Sequence, residues 1–131
     1  YHGDTFGAMA VSGRGAFVKP FESMLFDVQF IDAPVPGKEQ DSLAQLKAII
    51  ENPALDIGIF IYEPLVQGAA GMVMHKPSAL DALIALCREN KVLTIADEER
   101  PGFGRTVTRR FVSSLRGVTR STNGGNDYFA Q

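Results

Sequence analysis

The chain holds one cysteine, Cys87, in 131 residues, so no disulfide can close within it. No apolar run is long enough to cross a membrane as a helix, and no leader-like segment stands out. A cytoplasmic location and no membrane partner are the expectation. A P-loop, a zinc-protease HExxH and a nucleophile-elbow GxSxG are all missing. The Gly13–Gly15 and Gly102–Gly104 pairs are too short to mark a dinucleotide site. The two histidines, His2 and His75, stand far apart with no cysteine cluster, so no metal site is expected. Lysine is absent after Lys91.

What is present suits a soluble globular chain of about one domain, given a prior of ~150 residues for each. The composition is 45% hydrophobic and 21% charged, with a net charge of -2. The charge is uneven. Arg105, Arg109, Arg110, Arg116 and Arg120 face one acid, Asp127, giving +4 after residue 104 and -6 before it. These arginines lie among Ser, Thr and Gly without aromatic interleaving or helical spacing, and no nucleic-acid partner is expected.

Apolar spacing predicts the elements. Leu25–Ile31 alternates, with Phe26, Val28 and Phe30 on one side, as a half-buried strand does. Asp56–Tyr62 and Val92–Ala96 are nearly continuous apolar runs, suited to parallel strands. Asp41–Asn52 puts Leu43, Leu46, Ile49 and Ile50 on one helical stripe, with Pro53 beyond its end. Pro77–Asn90 does the same with Leu80, Leu83, Ile84 and Cys87, and Pro77 suits a first helical turn. That stripe makes Cys87 a core residue before a reactive one. Asp4–Val11 is a short helix candidate weakened by Gly7. Helices alternating with strands predict an α/β fold, a mostly parallel sheet with helices on both faces. After Thr106 the pattern dissolves; a short strand near Phe111 is the one element the residues suggest.

In such sheets ligands sit outside the carboxyl ends of the strands. Glu63 follows one apolar run there, and Asp97-Glu98 follows the other. A carboxylate at that rim is partly desolvated and needs a partner. Two uses remain open from the residues alone: capping the next segment, or facing a cationic group of a ligand.

The segments YHGDTFGAMAV, IYEPLVQGAAGM, LTIADE and GFGRT follow one another over Tyr1–Thr106. Together they resemble the class III aminotransferases, pyridoxal-phosphate enzymes of fold type I, and most resemble the branch serving biotin synthesis. The resemblance implies amino transfer between small molecules, from S-adenosylmethionine to 8-amino-7-oxononanoate in that branch, by a cytoplasmic homodimer. It implies a partial cofactor-binding large domain over 1–106 and an irregular tail over 107–131. It places Asp97 on the pyridine nitrogen of pyridoxal phosphate, with Glu98 in support. Tyr1 would stack on the ring, with His2 and Gly3 completing the motif. For His2 a structural role is expected over proton transfer. Glu63 would organise the floor of the site, and Gln67 and Gly68 the following loop.

The resemblance also implies a Schiff-base lysine after the aspartate, and the chain has none there, so no catalytic residue is assigned. The phosphate-binding loop and the substrate-carboxylate arginine are likewise expected outside these residues. Glu99 stands where the family carries an apolar residue, and the Arg/Ser/Thr/Gly tail resembles a translated alternative reading frame. A piece of an aminotransferase inactive alone is the first expectation. A non-catalytic remnant and an α/β binding module are the alternatives. An incompletely covered sheet is expected to self-associate.

Overall fold

The computed structural model describes residues 1–98. Its elements are α1 (Phe6–Val11), a 3-10 turn (Lys19–Met24), α2 (Glu39–Ile50), β1 (Ile59–Tyr62), β2 (Val66–Gln67), β3 (Val73–Met74), α3 (Pro77–Glu89) and β4 (Leu93–Ala96). β1 and β4 pair in parallel, Ile59 opposite Leu93 through Tyr62 opposite Ala96. β2 and β3 form a separate antiparallel hairpin. The fold is α/β with a parallel sheet, as the alternating pattern predicts.

The helices form where local chemistry favours them. α2 carries Glu39 and Asp41 in its first turn and Lys47 in its last, each sign complementing the helix dipole. α3 starts at Pro77, whose missing N–H costs nothing at that position. It stops in a Schellman arrangement. Val92 N donates to Cys87 O, Lys91 N donates to Arg88 O, and Lys91 takes a left-handed φ of 59°. Val92 thereby folds back onto Cys87, and both are buried in the core.

That core comprises Leu46, Tyr62, Leu80, Leu83, Ile84, Cys87 and Val92, with Phe60 and Ala96 packed against it. Strand alternation therefore turns Phe60, Tyr62 and Ala96 toward α2 and α3. Ile59, Leu93 and Ile95, on the other face, are exposed among the described residues. Cys87 is fully buried, and burial pushes its thiol up to about 11. It packs as a small apolar residue.

One expected strand does not form. Leu25–Ile31 has no ladder; Phe26 and Phe30 are exposed. Arg14 Nη2 donates to the Phe26 carbonyl at 3.4 Å, and the guanidinium lies 5.7 Å from the Phe30 ring centre. Alternation marks a two-sided environment, but a strand also needs a neighbour to take its backbone groups, and among the described residues none is paired with it. The β2–β3 hairpin, in turn, was not predicted; its two-residue strands are too short for periodicity to mark. The Phe111 strand, Glu99 and the 107–131 tail lie outside the described residues.

Candidate functional site

The parallel pair brings the carboxyl ends of β1 and β4 together, and the ladder continues one step past them. Asp97 N donates to Tyr62 O at 2.8 Å. Asp97 is thus fixed at the rim by its own backbone. Its side chain is part-buried and meets the His2 ring, with Nδ1 and Oδ2 2.7 Å apart. This contact joins residues 95 positions apart in the chain. An ionised carboxylate only accepts, so His2 Nδ1 carries the proton in this pair.

His2 is itself held. Its backbone N–H donates to Ser12 Oγ at 2.8 Å, and the Ser12 hydroxyl donates to Ala8 O at 2.8 Å. α1 provides this anchor. Thr5 caps it, with its side chain accepting from Ala8 N, and Met9 and Ala10 are buried beneath. Gly3 lets the strand-like entry turn onto the helix. Its φ is +122°, and a Cβ there would stand 3.3 Å from Ala8 Cβ. A larger residue would strain the backbone as well as crowd Ala8.

The other expected site residues are more dispersed. The Tyr1 ring is half-exposed, and its hydroxyl donates to Asp4 Oδ1 at 2.6 Å. Glu63 is buried after β1, and its Oε1 accepts from Gly68 N at 3.2 Å. That bond ties the carboxylate to the Gln67-Gly68 corner. Leu65 between them has φ 67°, closed by Val66 N donating to Pro64 O at 2.8 Å, so the corner is a strained γ-type turn. The charge of Glu98 reaches Tyr62. Burial, with smaller contributions from Glu98, Asp81 and Cys87, pushes the Tyr62 phenol up to about 12. The phenol therefore keeps its proton at neutral pH.

Sequence reasoning identified Asp97 and His2 separately and missed Ser12. A serine just after a short helix signals at most a local cap. Nothing in its spacing shows that its oxygen reaches back to residue 2.

With this geometry in place the chain can be compared with known proteins. The family model "Aminotransferase class-III" matches residues 1–109. The chain belongs to the class-III aminotransferases. Among curated relatives, the adenosylmethionine-8-amino-7-oxononanoate aminotransferase of Synechococcus elongatus is 45% identical over 114 residues. That match covers 81% of this chain and 26% of the relative. The enzyme of the same name from Geobacter sulfurreducens is 36% identical over 132 residues, covering 91% and 28%. The crystal structure of the Methanocaldococcus jannaschii enzyme superposes with a TM-score of 0.73 at 32% identity, covering 89% of this chain and 27% of that one. This class-III aminotransferase chain thus spans about a quarter of the length of the relatives it matches.

Class-III aminotransferases depend on pyridoxal phosphate, and the residues present fit the nitrogen side of that cofactor. A carboxylate held at a strand end, with one oxygen braced by a ring N–H, offers the kind of acceptor that a pyridinium N–H requires.

Proposed function

We propose that this chain supplies the pyridine-nitrogen and ring-face side of a pyridoxal-phosphate site in an aminotransferase. The observation that carries the reading is the His2–Asp97 pair at the carboxyl ends of β1 and β4. Bound pyridoxal phosphate supplies an electron sink for a substrate carbanion. Asp97 holds a proton at the ring nitrogen. Two unit charges ~4 Å apart at an effective dielectric of ~20 attract by about 4 kcal/mol. That is equivalent to roughly three pKa units. His2 donates to Asp97 and fixes the carboxylate's orientation. Tyr1 covers one ring face and excludes water from it. Glu63 braces the loop below through Gly68 N. Glu98 works at one remove, through its charge near the Tyr62 phenol.

The reading extends to amino transfer from S-adenosylmethionine to 8-amino-7-oxononanoate, supported by the names of the relatives, and to a cytoplasmic homodimer, which only the family resemblance implies. The five lysines are Lys19, Lys38, Lys47, Lys76 and Lys91. Lys47 and Lys76 pair with Glu51 and Glu39 on the surface. None of the five follows Asp97, where the resemblance implies the Schiff-base lysine, so the 131 residues are expected not to turn over substrate alone. Titration with pyridoxal 5′-phosphate, followed by induced circular dichroism, tests the site. Asp97→Asn should weaken binding by roughly thirtyfold, about 2 kcal/mol after allowing for the partial exposure of the pair. Equal binding by wild type and Asp97→Asn would remove Asp97 from the site.

A further inference from the structure

We infer that Ser12 is a positioning residue for this site, acting on Asp97 through His2. The inference rests on the proposed role of Asp97 for its functional meaning and on geometry for its content. Ser12 is 2% exposed, so its hydroxyl has little access to water in place of protein partners. Its one O–H is committed to Ala8 O, which leaves Oγ as an acceptor aimed at His2 N. The chain of bonds runs from the His2 backbone through Ser12 to the α1 backbone. A donated O–H polarises the oxygen that accepts the next bond, so the two bonds reinforce each other.

The consequence reaches the ring. Two ties exist: the Ser12 bond at the His2 backbone, and the Asp97 bond at its ring. Gly3 brings the backbone close to Ala8, so the first tie sets where the imidazole can point. Release of that tie frees the ring to rotate away from Asp97. Ser12 also caps α1 through its own backbone N–H to Met9 O, a bond that survives loss of the side chain. The hydroxyl therefore has a role separable from helix termination.

The test uses the full 131-residue chain labelled with 15N in its histidine rings. His2 and His75 are the only two, so the ring spectrum has two spin systems, and the buried His75 reports the fold. Ser12→Thr and Ser12→Val match in shape and differ in the hydroxyl; Ser12→Ala removes it with less bulk. Wild type and Ser12→Thr should show His2 with the proton on Nδ1. Ser12→Val and Ser12→Ala should show a mixture of tautomers. The His2 amide should exchange about tenfold faster in both, as loss of one hydrogen bond predicts. Pyridoxal 5′-phosphate should bind about tenfold more weakly to Ser12→Val than to Ser12→Thr. If Ser12→Ala disturbs His75, the Thr and Val pair decides. A His2 ring that keeps its wild-type tautomer in Ser12→Val overturns the inference. If wild type itself binds no pyridoxal phosphate, the cofactor reading of Asp97 falls, and the tautomer result still decides whether Ser12 positions His2.

Discussion

Two parts of the molecule are built on different physics. The α2–α3 layer against β1 and β4 is held by apolar burial, with Leu80, Leu83, Ile84 and Cys87 almost wholly removed from water. The first thirty residues bury little apolar surface. Phe17 is 93% exposed, and Phe6, Met24, Phe26 and Phe30 are also exposed. Their shape is set by polar ties: His2 to Ser12, His2 to Asp97, and Arg14 to the carbonyls of Met9 and Phe26. The core has few polar contacts to lose; the first thirty residues are a clasp of polar ties that depends on them. The proposed site draws His2 from the first thirty residues and Asp97 from the strand end that the apolar layer supports.

The sharpest way to break the comparison is to damage the core and ask whether the clasp follows. Leu83→Ala removes a side chain 1% exposed, and should cost about 2–5 kcal/mol in urea unfolding. The converse substitution, Ser12→Ala, should cost far less while changing the His2 ring. If Leu83→Ala unfolds no more easily than Ser12→Ala, the division between the parts is wrong.

A smaller effect lies at the hairpin. His75 is buried, and among the described residues neither ring nitrogen makes a well-aligned hydrogen bond, the Glu63 backbone offering only a loose one. Burial pushes its pKa down, and the Glu63 backbone opposes this only in part. The unfolded chain therefore binds a proton more readily than the folded one. Stability contributed by neutral His75 is present above about pH 6.5 and falls as pH drops from there toward the folded value. The loss is at most about 1.4 kcal/mol per pH unit. His75→Leu should flatten this dependence between pH 7.5 and pH 5.5 in urea titrations. An unchanged slope in the variant would show that His75 takes up its proton without cost.

The smallest expected effect is a gain. Lys91 holds a left-handed conformation that glycine adopts freely. Lys91→Gly should raise stability by about 0.5–1 kcal/mol without altering cofactor binding. Thermal unfolding would detect it, and destabilisation would mean that the lysine stem contributes packing worth more than the strain.

The two parts also differ in how far they can be read from sequence. Leu43, Leu46, Leu80, Leu83, Ile84 and Cys87 recur at helical spacing because each must reach the same core, so α2 and α3 are legible. β1 and β4 are legible as apolar runs for the same reason. Leu25–Ile31 shows the limit: it has the alternation of a strand, yet its Phe26 carbonyl goes to Arg14. Asp97 was visible as an acid after an apolar run, and Tyr1, His2 and Gly3 were marked by the resemblance of their own segment, YHGDTFGAMAV. The His2–Asp97 bond was not visible, since a contact over 95 positions leaves no local period. Ser12 was hidden for the same reason over ten.

The central claim is that Asp97 holds a proton on the cofactor's ring nitrogen. The direct measurement is 15N NMR of pyridoxal phosphate labelled at that nitrogen and bound to the chain, at a pH where the free cofactor's nitrogen is unprotonated. The account predicts a protonated ring nitrogen in wild type and an unprotonated one in Asp97→Asn. The same nitrogen signal in both proteins would contradict it.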